Sequence, residues 1–161
     1  MDHLWSPWRY RYVSGAAPQE KCLFCRLASE GDDRANFVLR RAAKNFVMLN
    51  AYPYTSGHLM IAPYAHVATL EQADPEALTE MMALARSAEA ALRRVYNAHG
   101  LNLGMNIGAS AGAGVAGHIH LHLLPRWSGD VNFMTAIAET RVLPENLATT
   151  YERLSAALAE G

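Results

Sequence analysis

His118-Ile119-His120-Leu121-His122-Leu123-Leu124-Pro125-Arg126 is the stretch on which the reading of this chain turns. Side chains along a strand point alternately to opposite faces. His118, His120 and His122 therefore share one face, and Ile119, Leu121 and Leu123 share the other. The apolar face can be buried, leaving a row of three imidazoles on the other side. Three of the chain's seven histidines fall in this short stretch, a clustering that chance composition makes improbable.

Three chemistries suit such a row. The imidazoles can be satisfied polar residues on a half-buried strand, but adjacent rings crowd one another and must divide donors and acceptors between them. They can ligate a metal, since alternate histidines on a strand suit zinc. A catalytic metal often takes a carboxylate too, and the nearest acids, Asp130 and Glu139, lie beyond the strand. Finally, an imidazole with a pKa near ~6.5 is largely neutral at pH 7 and can attack phosphorus, its neighbours orienting it.

The segment before the histidines favours the phosphorus reading. Six of the eleven glycines lie between Gly100 and Gly117. The run Gly108-Ala109-Ser110-Ala111-Gly112-Ala113-Gly114-Val115-Ala116-Gly117 lets backbone N–H groups approach phosphate oxygens closely.

Outward from the histidines, the alternation of Leu101 to Ile107 predicts a strand. Asp74-Pro75 opens the clearest helix, with Asp74 as N-cap, Pro75 in the first turn and Gly100 as its end. Leu78, Met81, Met82, Ala85, Ala88, Leu92 and Val95 form its core stripe. Phe37 to Arg41, Phe46 to Asn50 and His58 to Ala62 read as an antiparallel meander. A short helix is expected over residues 19–30, ending at Gly31, and a closing helix over Thr149 to Glu160. Residues 1–18, with Trp5, Trp8, Tyr10 and Tyr12, read as an aromatic arm packed on the domain or on a partner subunit. Residues 127–144 read as irregular.

Composition bounds the function classes. With 161 residues, 51% of them hydrophobic, the chain is expected to form one domain, 1–161, with a C-terminal extension from 127. A net charge of −1 offers no basic field for duplex nucleic acid. No apolar run is long enough for a membrane span and the N-terminus does not read as a signal peptide, so the expected location is cytoplasmic.

The pattern His118-Ile119-His120-Leu121-His122-Leu123-Leu124 resembles the signature of the histidine-triad (HIT) nucleotide hydrolases and transferases. The resemblance extends through Leu49-Asn50-Ala51-Tyr52-Pro53 and Ser56-Gly57-His58-Leu59-Met60-Ile61-Ala62-Pro63 to Asn106. The segments Leu4-Trp5-Ser6-Pro7-Trp8-Arg9 and Pro125-Arg126-Trp127-Ser128-Gly129-Asp130-Val131-Asn132-Phe133 look like the branch that contains diadenosine tetraphosphate (Ap4A) phosphorylases.

The resemblance implies an α+β fold: an antiparallel sheet of about five strands with a long helix and a short C-terminal helix, in a homodimer joined edge to edge. It makes His120 the nucleophile that forms a nucleotidyl-histidine intermediate. His122 would bind the α-phosphate oxygens, His58 would sit close by, and the His118 carbonyl would fix the tautomer of His120. Asn50 would bind ribose, Asn106 the phosphate side, and Phe46 and Leu49 would flank the base. Gly112 and Gly114 would supply backbone donors. Many family members carry a glutamine or serine, then a serine or threonine, where this chain has Gly114 and Val115. That side-chain contact is lost here, and backbone N–H groups or Ser110 would replace it. The choice between inorganic phosphate and water as acceptor is therefore open. The implied ligand is an adenine nucleotide, with no organic cofactor.

Cys22-Leu23-Phe24-Cys25 admits a redox pair, two inert thiols or a structural zinc site. In HIT relatives with this CxxC, a histidine placed like His66 and the first triad histidine, here His118, complete a four-ligand zinc site. Such a site would tie the N-terminal segment to the histidine stretch.

Overall fold

The computed structural model describes residues 22–130 and 145–159. The aromatic arm, most of the segment after Asp130 and the last two residues lie outside the described residues.

Five strands form one antiparallel sheet: β1 (Val38–Arg41), β2 (Asn45–Leu49), β3 (Leu59–Pro63), β4 (Gly100–Gly104) and β5 (Leu121–Arg126), in the spatial order β1-β2-β3-β5-β4. Among the described residues three α-helices accompany it: α1 (Leu23–Ser29), α2 (Pro75–Tyr96) and α3 (Leu147–Ala159). The α+β class, the meander, the long helix and the short C-terminal helix are as the sequence implies. Among the described residues, no helix is long and apolar enough to cross a membrane.

Strand alternation sends side chains into two separate cores. Val47, Leu49, Leu59, Ile61, Leu121 and Leu123 pack with Met81, Leu84, Ala88 and Leu92 of α2 and Leu154 of α3. On the opposite face Phe46, Met48, Met60 and Ala62 pack with Phe24 and Leu27 of α1. The register Met60↔His122 and Ile61↔Leu121 puts the imidazoles on the α1 side and the leucines on the α2 side.

Several boundaries differ from expectation. The strand expected from His118 begins at Leu121. The residues before it leave the ladder: Ile119 N–H donates to the Val67 carbonyl and the His118 ring meets Pro63 O. The strand expected over Leu101 to Ile107 ends at Gly104, and Leu103 on this edge strand is exposed.

Asp74 caps α2 as expected, its side chain accepting from Glu76 N–H. The helix stops at Tyr96, before Gly100, because Asn97 adopts the left-handed conformation, with φ of 49°. Met81, Ala85, Ala88 and Leu92 of the expected stripe are buried, whereas Met82 is 59% exposed and Ala77, Leu84 and Ala91 join the buried face. The β1–β2 turn is tied to α2 by Glu80, whose carboxylate accepts from Ala43 N–H, Lys44 N–H and Asn45 Nδ2.

Candidate active site and metal cluster

His58, from the residue before β3, meets the histidine stretch at the sheet centre. His58, His118 and His120 are buried, and His122 is half-buried. The Nδ1 of His120 lies 2.9 Å from the His118 carbonyl oxygen. A carbonyl only accepts, so Nδ1 carries the proton and Nε2 carries the lone pair.

A second chain of bonds fixes the other two rings. The backbone N–H of Tyr54 donates to His58 Nδ1 at 3.2 Å, with Asn50 Nδ2 at 3.4 Å from the same nitrogen. His58 Nδ1 is therefore an acceptor, and Nε2–H donates to His122 Nδ1 at 2.9 Å. His122 is left with its proton on Nε2. The arrangement thus offers one imidazole lone pair, on His120, beside one N–H donor, on His122, with ring centroids 4.8 Å apart.

Burial holds these rings neutral. Desolvation first, and then the charges His122 and His120 would carry, lower His58 to about 3. Desolvation and His120 lower His122 to about 4. Desolvation also lowers His120, against the bond to the His118 carbonyl. Each is uncharged at neutral pH, as a lone-pair nucleophile or a neutral donor must be.

Asn50 is drawn into this network. Its Oδ1 accepts from Tyr52 N–H at 2.9 Å while its amide faces His58. Phe46 and Leu49, expected to flank a base, are core residues: Phe46 stacks on Tyr64 at 5.4 Å and Leu49 packs on the α2 side. Both are closed to solvent because β2 is a central strand covered on each face. Asn106 is half-buried, just past β4. Gly112 follows a 3-10 turn, Ala109–Ala111, and takes φ of 86°; Gly114 is exposed on the same connection.

Three contributors escaped the sequence reading. The Phe24 ring lies 4.7 Å from His120 and 5.1 Å from His118. The Tyr54 ring lies 4.7 Å from His58. The Pro63 carbonyl accepts from His118 Nε2–H at 2.8 Å. Phe24 stands inside the CxxC spacing and could have been found there. The Tyr54 N–H and the Pro63 carbonyl act from the backbone and leave no side-chain signal, and the Tyr54 ring reaches His58 only through the course of its loop.

Cys22, Cys25, His66 and His118 converge, their ligand atoms all within 4.8 Å of one another, the one such group among the described residues. Cys22 Sγ is 3.4 Å from His118 Nδ1, Cys25 Sγ 3.3 Å from His66 Nδ1 and 3.7 Å from His118 Nδ1. A tetrahedral zinc with Zn–S of ~2.3 Å and Zn–N of ~2.0 Å sets S···N near ~3.5 Å. The donor set and its spacing therefore fit zinc. The Pro63 bond supports the fit: by taking the Nε2 proton it leaves His118 Nδ1 as a lone pair aimed at the cysteines.

The sequence of residues 33–129 matches the HIT domain family. The chain belongs to that family. Among HIT relatives, the AP-4-A phosphorylase of Mycobacterium tuberculosis H37Rv is 35% identical, covering 96% of this chain and 83% of its own. The asymmetrical bis(5'-nucleosyl)-tetraphosphatase of Schizosaccharomyces pombe is 28% identical over 71% of this chain and 63% of its own. A zinc-bound histidine triad protein from Mycobacterium smegmatis superposes with a TM-score of 0.71 at 30% identity, covering 87% of this chain and 94% of that one. As a HIT protein with these relatives, the chain is an enzyme acting on nucleotides.

Proposed function

We propose that this protein is a nucleotidyltransferase for dinucleoside polyphosphates such as Ap4A, with inorganic phosphate as acceptor. The observation that carries the reading is the bond from His120 Nδ1 to the His118 carbonyl, which leaves Nε2 as a lone pair next to the His122 donor.

In the first step His120 Nε2 attacks the α-phosphorus. An N–P bond forms, the bridging P–O bond breaks, and ATP leaves with the bonding pair. His122 Nε2–H binds the phosphoryl oxygens and stabilises their growing charge, held in its donor tautomer by His58. In the second step a phosphate oxygen attacks the adenylyl phosphorus, the N–P bond breaks back to His120, and ADP is released. Asn50 serves the ribose and keeps His58 in register. Asn106, Gly112 and Gly114 serve the phosphates, with backbone donors replacing the side chains that Gly114 and Val115 lack. The base is held by groups other than the buried Phe46 and Leu49.

Zinc on Cys22, Cys25, His66 and His118 would act structurally, since four protein ligands leave no position for water. The 35% identity to an AP-4-A phosphorylase and the zinc-bound relative support these two readings. The whole chain, 1–161, works as one domain in this reading. A homodimer joined along the edge strand β4 accounts for the exposed Leu103 and Ile107.

The test is Ap4A turnover with and without inorganic phosphate, products separated by chromatography. ADP plus ATP, formed only with phosphate, is expected. AMP plus ATP, indifferent to phosphate, would replace phosphate by water as acceptor. That second reading has its own support in the similarity to a tetraphosphatase.

A further inference from the structure

Gly57, immediately before His58, is pressed against the end of α2. Its φ is +78°, and a Cβ there would lie 2.9 Å from Tyr96 Cε2, 3.1 Å from Leu92 Cδ2 and 3.3 Å from Pro125 Cγ. Tyr96, the last residue of α2, is thus the wall on which the loop leading into His58 rests.

That wall is held from behind by a part of the chain outside the family match, which ends at residue 129. The Tyr96 hydroxyl donates to Glu145 Oε2. Thr150 Oγ1 donates to the same oxygen at 2.9 Å, and Arg153 Nη1 donates to Oε1 at 2.6 Å. The Arg153 guanidinium also lies 4.7 Å over the Tyr96 ring, and its Nη2 reaches the Val95 carbonyl. Trp127 Nε1–H donates to the Tyr96 carbonyl at 3.0 Å. A carboxylate with three donors, two of them from α3, gives the ring one position. Burial, and then the neighbouring carboxylate, push the Tyr96 hydroxyl up to about 12, so it remains a donor across the physiological range.

We propose that Tyr96 and Glu145 are positioning residues for the reaction: Glu145 fixes the Tyr96 ring behind Gly57, and the ring fixes the depth at which His58 meets His122. Neither touches substrate. The 2.9 Å bond from His58 Nε2 to His122 Nδ1 is what they set. α3 thereby belongs to the catalytic apparatus and not merely to the core. The inference rests on the roles given to His58 and His122 above.

The experiment uses the full chain and three variants, Glu145→Leu, Glu145→Gln and Tyr96→Phe. Single-turnover formation of the nucleotidyl-His120 adduct from Ap4A is measured beside KM and beside the 15N imidazole signals of His58 and His122. Glu145→Leu is expected to slow adduct formation ~10-fold with KM unchanged, because loosened alignment acts on the chemical step. It is also expected to shift both imidazole signals. Glu145→Gln, whose amide oxygen still accepts from Tyr96, restores most of the rate.

A folded Glu145→Leu protein with wild-type rate and unshifted signals overturns the proposal, even if its melting temperature falls. Should Glu145→Leu fail to fold, Tyr96→Phe decides by the same readings, since it keeps the ring and removes one oxygen. If the wild-type protein forms no adduct from Ap4A, the proposed function fails, and the imidazole signals alone decide the brace.

Discussion

His118 is joined to two chemistries at once: its ring nitrogen Nδ1 faces Cys22 Sγ at 3.4 Å while its carbonyl oxygen holds His120 Nδ1 at 2.9 Å. The first consequence concerns His120. Removing its imidazole in His120→Ala removes the sole lone pair the triad offers to phosphorus. Ap4A turnover should fall by ~1,000-fold or more, with nucleotide affinity kept. Mass spectrometry of protein quenched in alkaline denaturant, where the N–P bond survives, should show a +AMP species in the wild type and none in the variant.

The second prediction concerns the metal cluster. The purified protein should carry about one zinc per chain, and cobalt exchanged into the site should give the intense visible bands of a tetrahedral thiolate centre. Chelation or Cys25→Ser should lower the melting temperature, because metal binding to a folded-state site is folding free energy. A chain that takes up no cobalt would sink the assignment.

The third prediction is a pH dependence of stability. His58 and His122 have folded-state values of about 3 and about 4, below the unfolded value of about 6.5. Between those limits the unfolded chain binds more protons than the folded one. Stability from these two groups is therefore complete above pH ~6.5 and is lost as pH falls towards ~4. Urea midpoints at pH 7.5 and pH 5 should differ accordingly, and His58→Asn should flatten the difference.

The fourth prediction is local. Gly57→Ala forces an alanine to φ of +78° and drives its methyl to within 2.9 Å of the Tyr96 ring. Denaturant unfolding should show a loss of about 1–3 kcal/mol.

The fifth concerns α1, which carries Cys25 and follows directly on Cys22. The Arg41 guanidinium donates to the carbonyls of Leu27, Ala28 and Glu30 and to Asp33, closing the C-terminal end of that helix. Asp33 is the main reason the guanidinium stays protonated so firmly. Arg41→Ala strands those carbonyls and should cost about 1–3 kcal/mol, with weaker cobalt binding measured by titration.

Much of this was legible in the residues. Alternation separated the imidazoles from Leu121 and Leu123 correctly, although the ladder itself starts only at Leu121. Asp74-Pro75 marked the start of α2, since cap and ring chemistry act locally. The four residues that converge, Cys22, Cys25, His66 and His118, could be named from the CxxC together with the family resemblance. What escaped were properties of three dimensions. Met82 fits a helical stripe as well as Leu84 does, and only the sheet's position decides which is covered. Phe46 and Leu49 look like pocket residues until β2 proves to be a covered central strand. The Tyr54 N–H and the Pro63 carbonyl belong to the backbone, which every residue shares.

Register carries a further consequence. β5 hands Leu121 and Leu123 to one core and places His122, opposite Met60, on the other side. A slip of one residue would drive imidazoles into the α2 packing and turn leucines out towards the cysteines. The fold therefore proofreads its own chemistry: a misaligned chain loses its packing before it can accumulate as an inert look-alike. In a preparation of this protein, the folded fraction and the fraction able to react should be the same number.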